Sequence, residues 1–252
     1  MSIILFIIGL FIGSFLLVVV DRFPKGESIL WGRSHCDMCD HTLSWYDLFP
    51  IVSYITLKGK CRYCHKPFGV SYPVIEVVTG LLFATIPIFF PLVSLPELLI
   101  LCIISGCSIV VFFCDVWYGL IPDNAVLILG VSGILLGIIH HTSLLSLLLS
   151  SLGAGVFFLL LYLGTKRKGM GLGDVKLSFA MGLVLGYPFI ILAFYIAFLT
   201  GALVALILII GRRKKFKGDS IPFGPFLIIG MISVLLGGNY LWNLSLHLLF
   251  HL

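Results

Sequence analysis

Charge is what this chain has least of: Asp, Glu, Lys and Arg make up only 11% of its 252 residues, and 11 of them are acidic. Soluble globular domains carry about 25% charged residues, so a water-soluble domain of this length is excluded. Polar sequence is nearly as scarce, because residues 21–72 form the only long polar segment. Acids are missing from the middle of the apolar stretches, which argues against a path of cation-binding carboxylates through a bilayer. No basic residue precedes the first apolar stretch and no small-residue cleavage site follows it, so it reads as a retained span and not a removable signal.

What is present is hydrocarbon. The chain is 60% hydrophobic with a mean hydropathy of +1.18. A helix needs about 20 apolar residues to cross a bilayer, and candidates lie near 3–20, 74–93, 97–114, 124–140, 145–164, 175–187, 189–210 and 223–242. The expected fold is therefore an all-α polytopic membrane protein of about eight transmembrane helices. Lys and Arg collect in loops that stay in the cytoplasm. With eight spans, all 16 Lys and Arg residues fall on one face, in the segment after span one, around the turn between spans five and six, and in "RRKKFK" before span eight. Both termini are then outside. The excess of positive charge is an orientation signal that also attracts anionic lipid, and no nucleic-acid partner is expected.

The polar segment holds "CDMC" at 36–39 and "CRYC" at 61–64. Two such knuckles suit tetrahedral thiolate ligation of zinc, because each pair can wrap one edge of the ion. Disulfides are rare in the cytoplasm, where this segment is placed. Cys36, Cys39, Cys61 and Cys64 complete a closed shell, so the predicted ion is structural, and it would hold together a segment too small to build its own core.

Acids at the cytoplasmic ends of the spans are Glu76, Asp115, Asp123 and Asp174, with Asp219 in the loop before span eight. Ionisable groups bordering hydrocarbon are costly and are functional candidates. Asp115, in "FFCDVWYGLIPD", and Asp174, in "GMGLGDVK", fall on the same face and could meet. Two carboxyl groups brought close cannot both ionise cheaply, so the pair can act as acid and base on a shared water. The glycines allow tight turns and close approach of a peptide. Each acid also has a plainer reading: Asp174 and Asp123 as helix caps, and Glu76 as an anion in the first turns of a helix.

The ordered motifs resemble the bacterial type IV prepilin peptidases, the bifunctional leader peptidase and N-methyltransferase family of GxGD membrane aspartyl proteases. They are "GSFLLVVVDRFP" at 13–24, "GRSHCDMCDHTLSWYDLFPIVSY" at 32–54, "GKCRYC" at 59–64, "YPVIEVVTGLLF" at 72–83, Asp115 with "IPD" at 121–123, "GMGLGDVKL" at 169–177 and "IPFGPFL" at 221–227. The resemblance implies that Asp115 and Asp174 are the catalytic pair, with Gly171, Gly173 and Lys176 forming a turn or binding substrate. It implies a substrate class of prepilin or pseudopilin precursors, with a short basic leader cut after Gly, and then methylation of the new N-terminal residue, often Phe, with S-adenosylmethionine. Glu76 and Arg33 are candidates for holding that cofactor, and the four cysteines for the zinc. The implied organisation is a first helix at 1–20, a cytoplasmic zinc-binding domain at 21–72 and a membrane peptidase domain at 73–252 of the bacterial cytoplasmic membrane. Leu17 departs from the usual Asn of "GSFLN". The alternative is a membrane transporter or metal-responsive scaffold using the boundary carboxylates and the four-cysteine domain.

Overall fold

The computed structural model describes residues 1–28, 32, 34–36, 38–165, 170–211 and 222–250, with the backbone alone for 239, 241 and 243–250. Among the described residues there are nine α-helices, one 3-10 turn and no extended strand, only two isolated bridges. The helices are α1 (Ser2–Arg22), α2 (Val52–Thr56), α3 (Ser71–Phe89), α4 (Leu95–Tyr118), α5 (Asp123–Ile139), α6 (Leu144–Gly164), α7 (Leu172–Leu185), α8 (Phe189–Ile210) and α9 (Gly224–Phe250). All except the single-turn α2 fall on the eight predicted apolar stretches. Five of them, α1, α3, α4, α6 and α8, are long and apolar enough to cross a membrane, while α5 and the first part of α9 are shorter and apolar. The fold is that of an all-α polytopic membrane protein.

The chain divides into two compact units, Met1–Leu98 and Leu99–Leu252. In the first, α1 packs on α3. The seam on α1 is "GLFIG", with Gly9 and Gly13 one turn apart. Small residues at this spacing let two membrane helices approach closely. A Cβ placed on Gly13 would lie 2.8 Å from the Glu76 Cα, so only glycine lets the helices meet there. The polar module between them hangs from this helix pair.

In the second unit α7 is the hub, packed against α5, α6, α8 and α9. Its 14 residues span about 21 Å at 1.5 Å per residue, well short of the ~30 Å hydrocarbon core. Such a helix stays in a membrane protein by being enclosed, and Asp174, Leu177, Ser178 and Ala180–Val184 are all buried. It starts three residues before the predicted span, because Gly171 supplies an extended N-cap (φ −85°, ψ 156°), and it stops at Gly186, whose φ is +66°. A ladder of aromatic rings, Phe158, Phe198, Phe223 and Phe226, with centroids 5.1–6.2 Å apart, joins α6 and α8 to the start of α9.

Candidate active site

Asp174 occupies the third position of α7 and folds its carboxylate back onto the cap: the Gly171 N–H donates to its Oδ2 at 3.0 Å, and its own N–H donates to the Gly171 carbonyl at 3.2 Å. That accounts for one oxygen. The other, Oδ1, is buried without a hydrogen-bond partner. Asp115 lies near the end of α4 in the same condition. The backbone N–H of Gly224, the first residue of α9, donates to its carboxylate, while its Oδ2 is buried without a partner. Both residues are only 6% exposed. Buried polar atoms are nearly always paired, so two orphaned carboxylate oxygens in one unit call for a reason.

The two acids are brought together through Ile121. Its side chain would lie 3.0 Å from a Cβ on Gly173 and 3.3 Å from one on Gly224, and a Cβ on Gly224 would fall 2.6 Å from Asp115 Oδ2. Two neighbouring carboxyl groups of this kind have the chemistry of an acid and a base, one giving and one taking a proton.

The other expected residues fall as follows. Lys176, one turn into α7, forms an exposed ion pair with Asp123, 2.8 Å to Oδ1 and 2.9 Å to Oδ2. Asp123 therefore does not cap α5, whose N-cap is Pro122 with no side-chain hydrogen bond. Gly171 needs no unusual backbone, and a Cβ there would meet Asp174 Oδ2 at an ordinary 3.6 Å, whereas Gly173 is tight against Ile121. Gly169 and Arg33 lie outside the described residues. Leu17 is buried at 8%. Glu76 is buried on α3, where its Oε2 accepts from the Ile51 N–H at 2.8 Å, and the Ser14 hydroxyl is a second partner.

Ile51 was not foreseen. It sits at φ 60°, ψ −47°, with the Val52 N–H on the Pro50 carbonyl at 2.5 Å, which makes it the centre of a γ-turn of the rare, strained hand. A β-branched residue with positive φ is an outlier, held here because the turn aims the Ile51 N–H at Glu76. Gly224 was also missed. Its signal was available as a glycine between Pro222 and Pro225, since Pro225 has no N–H to offer and leaves Gly224 as the donor.

The four thiols of the polar module form one cluster. Sγ atoms of Cys36, Cys39, Cys61 and Cys64 all lie within 4.8 Å of one another, with Cys36 to Cys64 at 3.9 Å. A tetrahedron with Zn–S bonds of about 2.3 Å has edges of about 3.8 Å, so the donor set fits zinc. The knuckles repeat each other. Cys36 N–H donates to the His41 carbonyl and Cys61 N–H to the Lys66 carbonyl, Asp40 N–H to Cys36 and His65 N–H to Cys61. Asp40 and His65 have φ of 53° and 57°, and the bridges His35 to Thr42 and Lys60 to Pro67 occupy matching positions. Burial pushes the Cys36 thiol up to about 12. Cys61, against the upward push of its own burial, is brought down to about 7 by backbone N–H groups of Cys64 and Tyr63 and the thiols of Cys64 and Cys36. Asp47, its side chain only 3% exposed, locks the second knuckle to the first half of the module: Oδ1 accepts from Arg62 Nε at 2.8 Å, and Oδ2 from the Ser44 N–H and the Tyr63 hydroxyl, each at 3.3 Å.

Apolar helices, a pair of buried carboxylates in the second unit and a four-thiol cluster between α1 and α3 in the first define a polytopic membrane protein with a candidate acid–base site and a candidate metal site. The signature described as Bacterial Peptidase A24 N-terminal domain matches residues 7–90, and that of the Type IV leader peptidase family matches 98–206. The chain is 35% identical over 242 residues to a Bacillus subtilis protein named prepilin leader peptidase/N-methyltransferase, covering 94% of each chain. It is 31% identical over 264 residues to one of that name in Pseudomonas aeruginosa, covering 92% of this chain and 89% of the relative. For one in Burkholderia pseudomallei the figures are 30% over 264 residues, 92% and 84%. No solved structure matches. The chain belongs to the type IV leader peptidase family, and nothing in these likenesses supports a transporter.

Proposed function

We propose that the protein is a prepilin leader peptidase and N-methyltransferase, and that Asp115 and Asp174 are its catalytic acids. The observation that carries the reading is the pair of buried carboxylates, each tied by one backbone N–H and each keeping one oxygen free of any protein partner. The substrates are prepilin or pseudopilin precursors. Their apolar helix lies among the spans, and their short basic leader stays in the cytoplasm. The membrane itself then sets the depth of the scissile bond after Gly. The positive-inside pattern supports outer termini and a cytoplasmic site and zinc module.

In this mechanism one carboxylate takes a proton from water as the water oxygen attacks the scissile carbonyl, while the protonated partner gives its proton to the carbonyl oxygen. The tetrahedral intermediate collapses as the leaving amine receives a proton, and no acyl-enzyme forms. The helix N-termini behind each acid, α7 for Asp174 and α9 for Asp115, favour negative charge. Gly171 and Gly173 shape the turn that carries Asp174. Lys176 holds the mouth of α7 through Asp123 and can meet the substrate there. The peptidase activity is assigned to 73–252, and the zinc-dependent module to 21–72, where Cys36, Cys39, Cys61 and Cys64 hold a structural ion. S-adenosylmethionine supplies the methyl group for the new N-terminus, with Glu76 and Arg33 on its side of the reaction.

The test is mass spectrometry of a pilin-like precursor incubated with the wild type and with Asp174→Asn, with and without S-adenosylmethionine. Leader loss with the wild type alone, followed by a methyl increment only with the cofactor, is expected. Equal processing by both proteins removes Asp174 from the chemistry.

A further inference from the structure

The polar module carries an apolar patch that neither the cleavage chemistry nor the four thiols use. Trp45, Tyr46, Leu48, Phe49, Val52 and Ile55 are all exposed within the short run 45–55, Trp45 to 75% and Ile55 to 66%. Single apolar residues on a surface need no explanation, whereas a contiguous run of them marks a contact surface. The one charge in this run is Asp47, whose side chain is only 3% exposed and is taken up by Arg62. Lys58 and Lys60, both exposed, follow directly.

Two contacts fix how far the run reaches along α1. The Phe49 ring meets the Phe11 ring edge-on, with centroids 5.4 Å apart. The Ile51 N–H donates to Glu76 at 2.8 Å, and Glu76 packs level with Gly13. The exposed ion pair of Asp21 with Lys25 marks where α1 leaves its apolar stretch. From Asp21 back to Gly13 and to Phe11 the helix rises about 12 and 15 Å, against a hydrocarbon half-thickness of about 15 Å. The turn at 49–51 therefore sits at the depth of the acyl chains. Its backbone suits that depth, where no water is at hand to pair an amide. Pro50 has no N–H, the Ile51 N–H goes to Glu76, and the Val52 and Ser53 N–H groups go to the Pro50 and Phe49 carbonyls, at 2.5 and 3.1 Å. The Ser53 and Thr56 hydroxyls also fold back, onto the Phe49 and Val52 carbonyls at 2.8 and 2.9 Å.

We infer that residues 45–55 are a re-entrant anchor whose exposed face lies in the lipid of the leaflet where α1 ends and α3 begins. Lipid is the occupant that the surroundings specify, because the patch continues the outer side of α1, where Phe11 and Phe15 are themselves half exposed. Trp45 stands against Tyr46, and Tyr46 lies under the Arg62 guanidinium at 5.0 Å, the mixture of aromatic and basic groups that collects in a headgroup layer. Lys58 and Lys60 add attraction to anionic headgroups. The strained turn at Ile51 docks the anchor on the helix pair through Glu76, and Asp47 ties it to the second knuckle through Arg62. The four-thiol cluster is thereby held against the membrane surface.

The experiment is photo-cross-linking of the full-length protein in vesicles of phosphatidylcholine and phosphatidylglycerol in equal parts. A diazirine sits in the acyl chain of the phosphatidylcholine, and labelled peptides are identified by mass spectrometry. Residues 45–55 should take up label at a yield within about threefold of residues 3–15 of α1, since both present apolar side chains to the same acyl chains. Val52→Asn combined with Ile55→Asn puts two amides on the lipid side, which hydrocarbon disfavours, and should lower the yield at 45–55 by about fivefold or more while that at 3–15 keeps its wild-type value. A wild-type 45–55 segment that takes up no label overturns the inference, and so does one that cross-links instead to a second copy of the chain. Undiminished labelling of the double variant overturns it as well. If the double variant does not fold, the wild-type yield alone decides.

Discussion

Gly224→Ala is the substitution that most directly probes the acid pair. The added Cβ would stand 2.6 Å from Asp115 Oδ2, 3.1 Å from its Cγ and 3.3 Å from Ile121 Cδ1, where ordinary contact begins at 3.4 Å. The carboxylate must therefore retreat by roughly 0.8 Å, or α9 must back away and take its N–H along. A misplacement of about 1 Å at a catalytic group costs on the order of a hundredfold in rate, equivalent to about 2.7 kcal/mol in the barrier. The assay is steady-state cleavage of a purified precursor, with kcat expected to fall about 30- to 100-fold. Two sister variants calibrate the argument. Gly173→Ala meets only the Ile121 side chain, at 3.0–3.2 Å, and Gly171→Ala finds nothing closer than 3.6 Å. The expected order of loss is Gly224, then Gly173, then Gly171, with the last within about threefold of wild type because the side chain fits. A Gly224→Ala enzyme with wild-type kcat, or a Gly171→Ala enzyme that is worse, refutes the placement of Asp115 against α9.

Asp115→Asn should abolish cleavage while the protein still inserts and purifies as wild type; retained cleavage removes Asp115 from the pair. Asp123→Asn loses only an exposed ion pair worth about 0–1 kcal/mol, so its cleavage rate should stay within about fivefold of wild type, and an inactive Asp123→Asn variant would mean that the wrong acid was assigned. Cys36→Ser combined with Cys61→Ser should remove the bound zinc, read as metal per chain by mass spectrometry; unchanged zinc excludes these thiols as ligands. Asp47→Ala removes the acceptor shared by the exposed Arg62 and the Ser44 N–H, at a cost of about 1 kcal/mol, so zinc transfer to a chelator should speed by about fivefold, and an unchanged rate denies Asp47 its locking role.

Much of this fold is written in hydropathy. Each of the eight apolar stretches carries a helix, because a chain this poor in charge has few other ways to satisfy its backbone in hydrocarbon. The cysteine spacing likewise reads directly as a four-thiol cluster, since two CxxC turns constrain their sulfurs locally. Pairings between distant segments were not legible. The packing of α1 on α3 depends on Gly9 and Gly13 meeting one particular partner, and a hydropathy profile treats them as ordinary apolar positions. Grouping α3 with α1 is a statement about packing, and the boundary at residue 73 proposed for the peptidase is a separate one about activity. Ile51 and Gly224 escaped for a related reason: their backbone N–H groups make the contacts, and a backbone amide leaves no signature in residue type. Asp123 shows the opposite error, a residue well suited to capping that is claimed instead by Lys176, 53 positions away.

Asp174 joins these levels. Its sequence setting allowed a helix cap or a reactive acid, and the geometry has room for both: Oδ2 makes the cap, and Oδ1 is left for the proposed chemistry. Oδ2 closes the cap on Gly171, which fixes the start of a helix too short to be held by the membrane alone. Oδ1 is left buried and unpaired, at the end of α7 that Ile121 links to Asp115. Capping thus positions the acid, since a carboxylate anchored by one oxygen presents the other in a fixed direction. This also decides which substitution is informative. Asp174→Asn can still accept from the Gly171 N–H and preserve α7 while ending proton transfer, whereas Asp174→Ala removes cap and acid together. If the Asp174→Asn protein keeps the wild-type melting temperature and cleaves nothing, the two tasks are separable on one side chain. If the Asn and Ala variants lose stability equally, the capping bond is not what holds α7 in place.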